Sequence, residues 1–312
     1  MDQFHGDRTY KMDFDNLSVG ILRFSIGMFK KVIVADTFGR TVGWGFSNID
    51  AATSMDFILV MLSYTFQLYF DFSGYCDMAI GISQMLNIKL IENFNSPYKS
   101  YSIPEFWRRW HTTLTRFFQN YVYFPLGGSR KGSARTYINI MIVFILSGAW
   151  HGAKWTFIAW GILHGIANCL TRVFKKQYEK LSAALQWLIT FIFINFTWLL
   201  FRSEGIHQAW HLLKKICSLS NMAISGGIIS AFDSPLLGVL YQFPGLRKIN
   251  GFVTGLTMWV FLITAFFVSI FGKNTGELKY RRTVFNMIMS IIILLWSIFS
   301  LSNVSAFLYF GF

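Results

Sequence analysis

Long apolar windows separated by short polar breaks run through most of the chain. Phe252–Phe271, Thr283–Leu301 and Ala184–Phe201 are uninterrupted. Ala153–Val173 is apolar apart from Lys154, His164, Asn168 and Arg172, and Tyr137–Trp150 is apolar but short. Met55–Phe72 carries Asp56, Gln67 and Asp71 within an apolar frame. Leu17–Asp36 and Asp77–Leu90 are weaker, and Asn221–Leu240 is ambiguous. Since a membrane-spanning helix needs about 20 mostly apolar residues, the pattern predicts about eight membrane-embedded segments, not all of them full spans. The fold expected is all-α and polytopic, in one domain over 1–312, with no repeat and no low-complexity linker.

Two polar breaks, Glu92–Ser102 and Pro125–Thr136, flank a different kind of segment, Ile103–Phe124. Ser102 and Glu105 have capping-box spacing, and Pro104 fits a first helical turn. Trp107, Trp110, His111, Leu114, Phe117, Phe118 and Tyr121 recur at helical spacing, with Arg108, Arg109, Thr112 and Arg116 mainly opposite. Glu105 and Arg109 are placed for an i, i+4 ion pair. The spacing predicts a single cationic, aromatic helix of about 20 residues at the membrane interface. Downstream, small residues Ser147, Gly148, Gly152 and Ala153 surround His151. Gly148 with Gly152, and Gly161 with Gly165, have the spacing that lets membrane helices approach closely, which predicts that His151 faces protein rather than lipid.

Composition sharpens this reading. The 312 residues are 54% hydrophobic, 19% aromatic and only 14% charged, against roughly a quarter charged in ordinary soluble domains. The net charge of +13 is carried largely by pairs between or beside the windows, among them Lys30–Lys31, Arg108–Arg109, Arg130–Lys131, Lys175–Lys176, Lys214–Lys215 and Arg281–Arg282. That distribution fits cytoplasmic loops and anionic head groups. It does not fit nucleic acid, which would need a basic soluble domain that the apolar windows leave no room for. Three scattered cysteines, Cys76, Cys169 and Cys217, make neither a disulfide framework nor a CxxC site. The opening Met1–Asn16 is polar and reads as a loop rather than a cleavable signal peptide.

Ionisable groups inside a membrane segment are expensive and mark candidate function when they face the protein. His151 meets that condition best: a neutral imidazole there can take a proton, or it can be a hydrogen-bonded structural group. His111 could orient a hydroxyl or polarise a carbonyl, or simply anchor its helix. His164 reads as structural. On a continuous helix its offset of 13 residues from His151 would place it about 220° around. His207 and His211, one turn apart after Glu204, form a possible metal face without a supporting cluster, so no metal is expected. Asp71 and Asp77 could bind a hydroxyl-rich substrate, cap a helix, or pair with arginines. The turn Gly127-Gly128-Ser129-Arg130-Lys131 could hold a phosphate but lacks P-loop spacing. No G-x-S-x-G elbow and no H-E-x-x-H occurs.

Several blocks in order carry a family resemblance: Gln-Leu-Tyr-Phe-Asp-Phe-Ser-Gly-Tyr-Cys-Asp-Met-Ala-Ile-Gly at 67–81, Asn-Phe-Asn-Ser-Pro-Tyr at 93–98, Phe-Trp-Arg-Arg-Trp-His-Thr-Thr-Leu at 106–114, Tyr-Val-Tyr-Phe-Pro-Leu-Gly-Gly at 121–128, Ser-Gly-Ala-Trp-His-Gly-Ala-Lys-Trp at 147–155, and the final Phe-Leu-Tyr-Phe-Gly-Phe. Together they resemble the bacterial, alginate O-acetyltransferase-like branch of the membrane-bound O-acyltransferases, with the teichoic-acid D-alanyl transfer branch more distant. The resemblance implies that His151 is the essential histidine and His111 the second catalytic position, both near the constriction of a tunnel across the membrane. Asp71, Asp77, Trp107, Trp150 and Arg108 are the expected substrate-binding residues. The implied reaction moves an acyl group, acetyl by expectation, from a cytoplasmic thioester or carrier-bound donor to hydroxyls of an exported polysaccharide or cell-wall glycan. D-alanyl transfer with an acyl-carrier protein and a non-catalytic export or scaffold subunit are the alternatives. No bound cofactor is expected. The expected partners are the bilayer, the glycan and a secreted or membrane-anchored O-acetyltransferase, and the expected location is a bacterial plasma membrane. Relatives carry several more helices before the position matching Gln3, so an N-terminally shortened domain is expected.

Overall fold

The structure, a computed structural model, describes residues 3, 11–233, 249–278, 283–301 and 308. Most of the polar opening, the end of the Asn221–Leu240 stretch, Arg281–Arg282 and the final aromatic motif (Leu308 excepted) lie outside the described residues. Among the described residues the chain is helical, with no strand. The helices are α1 Phe14–Phe29, α2 Asp36–Ser47, α3 Ser54–Met85, α4 Ile103–Arg109, α5 Thr112–Phe118, α6 Gly132–Trp150, α7 Trp155–Val173, α8 Lys175–Tyr178, α9 Ala183–Arg202, α10 Ile206–Ser218, α11 Gly226–Ser230, α12 Asn250–Ile270 and α13 Val284–Phe299. Turns of π-helix, Lys30–Ala35 and Gln119–Tyr123, follow α1 and α5. The residues gather into two compact units. One holds the chain up to Glu92 with the described parts of 221–268 and 272–311, and the other holds Asn93–Ser220 with Ser269–Phe271.

In the first unit, α1 packs along α3. Thr53 and Asp56 close a capping box that starts α3, which then runs 32 residues without a break. At 1.5 Å per residue that is about 48 Å, and it merges the predicted windows Met55–Phe72 and Asp77–Leu90 into one element. The polar stretch between them does not end the helix because α1 covers it. A Cβ on Gly27 would lie 2.6 Å from the Gly74 carbonyl oxygen, and one on Gly20 would lie 2.6 Å from that of Gly81, so the two backbones touch through glycine. This approach brings cations of α1 and the π turn after it onto carboxylates of α3 and its neighbours. Arg23 meets Asp77 at 3.1 Å and Glu92 at 2.6 Å, and Lys30 meets Asp77 at 2.6 Å. Lys31 lies between Asp71 at 2.7 Å and Asp36 at 3.0 Å.

In the second unit, α6 and α7 form an antiparallel hairpin. The close contact again runs through glycine, but across the hairpin rather than along the predicted Gly148/Gly152 pair. A Cβ on Gly148 would lie 2.4 Å from the Phe157 carbonyl oxygen, and one on Gly161 would lie 2.3 Å from that of Phe144. Gly152 sits outside the helix, with a φ of +144° in the connection. Because backbone rather than a flexible side chain blocks the space, Gly161→Leu is expected to lower stability by about 1–3 kcal/mol or more. Gly251→Ala, which meets nothing within 4 Å, should be neutral; thermal melting of purified variants in detergent compares the two.

By length and composition α6, α9 and α12 can each cross a membrane. The predicted windows Met55–Phe72 and Ala153–Val173 contain polar groups that the structure buries within protein: Asp71 in α3, and His164 and Asn168 in α7.

Candidate active site

The predicted interfacial helix is where the structure departs most from the sequence pattern. Its start follows expectation in part: the Ser102 hydroxyl accepts the N–H of Glu105 and Arg109 pairs with Glu105 at 2.9 Å, but the Glu105 carboxylate accepts the Tyr101 N–H rather than closing a capping box on Ser102. Helix α4 then stops after Arg109. Trp110 is extended, and His111 adopts the left-handed conformation, φ 45° and ψ 55°, before α5 begins. So Ile103–Phe124 is two seven-residue helices and a π turn, not one helix. The reason is competition for backbone groups. The N–H of Asn95 donates to the Arg109 carbonyl at 2.9 Å, and the N–H of Thr112 donates to the Asn93 carbonyl at 3.0 Å. The extended segment around Asn93–Asn95 thus takes hydrogen bonds that a continuous helix would use itself. A left-handed histidine is uncommon, and such backbone outliers cluster where structure holds a group for function.

The turn aims the His111 side chain at the same loop. Its Nδ1 lies 3.2 Å from Asn93 Oδ1, and that oxygen also accepts the Thr113 N–H at 3.1 Å and the Thr113 hydroxyl at 2.9 Å.

His151 caps the C-terminus of α6, its N–H donating to the Gly148 carbonyl at 3.1 Å. It is only 6% exposed, so the expectation that it faces protein is met. Its ring meets Trp150 at 5.0 Å, Trp160 at 5.4 Å and Phe201 at 5.0 Å, contributed by α6, α7 and α9. His111 is near enough to His151 for charges on the two rings to act on each other. Two imidazoles predicted from separate motifs therefore occupy one neighbourhood, with indole and phenyl rings around His151.

His164 is structural, as read from the sequence, though the helical-wheel argument does not apply because the chain reverses between it and His151. It is fully buried, accepts the Trp107 indole N–H at 3.1 Å, and meets the Thr197 hydroxyl at 3.0 Å through Nε2. Trp107, expected to touch substrate, spends its N–H on this contact and packs edge-on to Trp160 at 5.5 Å. Trp150 is 54% exposed beside His151. Arg108 is exposed and lines a cavity of about 400 Å³ with Arg172, Lys175 and Tyr178. Asp71 and Asp77 lie in the first unit, their carboxylates held by the Lys31, Lys30 and Arg23 pairs. In the Gly127–Lys131 turn, Gly127 and Gly128 have φ of +101° and +57°, and the Asn139 amide donates to the Gly128 carbonyl at 2.9 Å. Among the described residues no three His, Cys, Asp or Glu side chains group around a possible metal position.

Sequence reasoning missed Asn93, Trp160 and Phe201. Asn93 stood in a loop read from its Asn, Ser and Pro content and in a block that carried the resemblance, but nothing there tied it to His111, and the two rings sat among many apolar neighbours without a distinguishing signal.

The sequence model of the membrane-bound O-acyltransferase family, MBOAT, matches residues 1–206. A peptidoglycan O-acetyltransferase of Helicobacter pylori is 48% identical over 231 residues, which cover 72% of this chain and 43% of that protein. A probable alginate O-acetylase of Azotobacter vinelandii is 40% identical over 226 residues, covering 72% of this chain and 44% of that protein. A teichoic acid D-alanyltransferase of Bacillus subtilis is 30% identical over 209 residues, covering 62% and 53%. The chain thus matches less than half the length of the two O-acetyl-transferring relatives.

Proposed function

Because the chain belongs to the membrane-bound O-acyltransferase family, we propose that it moves an acetyl group from a cytoplasmic activated donor to hydroxyls of an exported polysaccharide or cell-wall glycan. The observation that carries this reading is the pair of buried imidazoles, His111 and His151, drawn into one aromatic-walled neighbourhood from two motifs. An imidazole that is neutral near pH 7 can accept the proton of a sugar hydroxyl as that oxygen attacks the acyl carbonyl. In our reading His151 is that base, and His111 holds the acceptor hydroxyl or the developing oxyanion. The rings around His151 keep water from a thioester that it would otherwise hydrolyse. The donor is a substrate, acetyl-CoA or a carrier-bound acyl group, and no bound cofactor enters the step. Working partners are the glycan, a secreted or membrane-anchored O-acetyltransferase, and an acyl carrier if one delivers the donor. The chain works from a bacterial plasma membrane that it crosses several times.

Acetyl is preferred to D-alanyl because identity is 48% and 40% to the O-acetyl-transferring relatives and 30% to a D-alanyl-transferring one. Mild base releases ester-linked groups from the surface glycan of cells with and without this chain. Base-labile acetate that depends on the chain is the expected result. Chain-dependent alanine would move the assignment to D-alanyl transfer, and no dependent ester would leave only the scaffold reading.

A further inference from the structure

The hydrogen bonds around Asn93 decide something the catalytic reading leaves open, namely which nitrogen of His111 bears the hydrogen. A backbone N–H can only donate, so the Asn93 atom that receives the Thr113 N–H at 3.1 Å is the amide oxygen and not the amide nitrogen. The Thr113 hydroxyl, 2.9 Å from the same oxygen, spends its hydrogen there too. His111 Nδ1 is 3.2 Å from that oxygen and 3.5 Å from the Thr113 hydroxyl oxygen. Facing two acceptors, Nδ1 must carry the ring hydrogen, which places the lone pair of the neutral ring on Nε2.

We propose that Asn93 is a positioning residue that locks His111 as the Nδ1–H tautomer. His111 then offers its Nε2 lone pair to an O–H of the acceptor glycan other than the attacking one, whose hydrogen goes to His151, instead of donating to an oxyanion. The choice between its two roles follows from proton accounting. A neutral Nδ1–H imidazole offers an acceptor at Nε2 and no hydrogen there, so it can grip and orient an O–H but cannot stabilise a carbonyl oxygen gaining negative charge. The left-handed backbone at His111 and the cross-bonding of Asn93–Asn95 to the break between α4 and α5 hold the ring against this oxygen. A continuous helix over 103–118 would lack this left-handed turn, which aims the His111 ring at Asn93. This role for Nε2 rests on the acyl-transfer reading; the tautomer does not.

The test uses the full chain in detergent or lipid nanodiscs with ¹⁵N-labelled histidine. His111→Gln, by deleting one set of ring signals among six histidines, assigns those of His111. Expected is a hydrogen-bearing Nδ1 and a bare Nε2 in the unaltered protein, and loss of that single form in Asn93→Leu. In acetyl-transfer assays Asn93→Leu should lower kcat about 10-fold or more, with the KM for the thioester donor nearly unchanged. Asn93→Asp keeps an acceptor oxygen and should restore both the tautomer and most of the rate. A hydrogen on Nε2 in the unaltered protein would overturn the proposal, as would equal loss of rate in the Leu and Asp variants. If the unaltered chain transfers nothing, the acyl-transfer reading and the hydroxyl role fall together, and the spectrum alone still decides whether Asn93 sets the tautomer.

Discussion

Replacing His151 with glutamine is expected to cut the rate of acetyl transfer by orders of magnitude while leaving the helical bundle folded. Glutamine is close to histidine in reach and can still donate or accept a hydrogen bond among Trp150, Trp160 and Phe201, so packing around the position is largely kept. It has no basic nitrogen near neutral pH, so the acceptor hydroxyl must lose its proton without help. General-base assistance is typically worth roughly 10²–10⁴-fold, and that is the expected fall in rate. The measurement is chain-dependent ester on the glycan, paired with a melting curve of the purified variant. A variant that melts like the parent and still esterifies the glycan at the parental rate would remove His151 from the chemistry. A matching His164→Gln variant serves as contrast. It should act mainly through stability, because it breaks the Trp107 and Thr197 contacts of a fully buried ring.

Lys31→Met is expected to be the most destabilising single change in the first unit. The ammonium group sits 2.7 Å from Asp71 and 3.0 Å from Asp36, and all three side chains are at least nine-tenths buried. Removing it leaves two carboxylates facing each other with their shared counter-charge gone. Breaking a buried pair by deleting one partner costs about 3–5 kcal/mol, since the remaining charge must stay unpaired or take up a proton. Unfolding of the purified protein in detergent, by heat or denaturant, reads the loss. Neutralising the acids as well, in Lys31→Met/Asp36→Asn/Asp71→Asn, should recover much of it. A methionine variant as stable as the parent would mean that the triad contributes little and that glycine packing alone holds α1 on α3.

An all-helical, membrane-associated chain was legible from the apolar windows and sparse charge, because in lipid every backbone group must be satisfied within its own helix. His151 and His111 were legible as candidates because ionisable groups in such segments are rare. The small residues beside His151 correctly pointed it into protein, although the glycine contact proved to cross the α6–α7 hairpin. Periodicity failed at Ile103–Phe124, where it saw one amphipathic face and could not see that Asn93 and Asn95 compete for the backbone of that same helix. It failed in the opposite sense at α3, where the residues between the windows Met55–Phe72 and Asp77–Leu90 looked like a break, and α1 with the π turn after it supplied cations to the Asp71 and Asp77 carboxylates of one continuous helix.

What the chain's own order of residues determined was the set of helices and the scarce groups able to do chemistry, since both follow from local spacing and the cost of burying charge. Which imidazoles meet, which carboxylates are neutralised and which ring nitrogen bears the hydrogen were decided only by the tertiary structure. Each of those depends on partners distant in sequence, 18 residues for His111 with Asn93 and 40 for Lys31 with Asp71, and no local pattern encodes their approach.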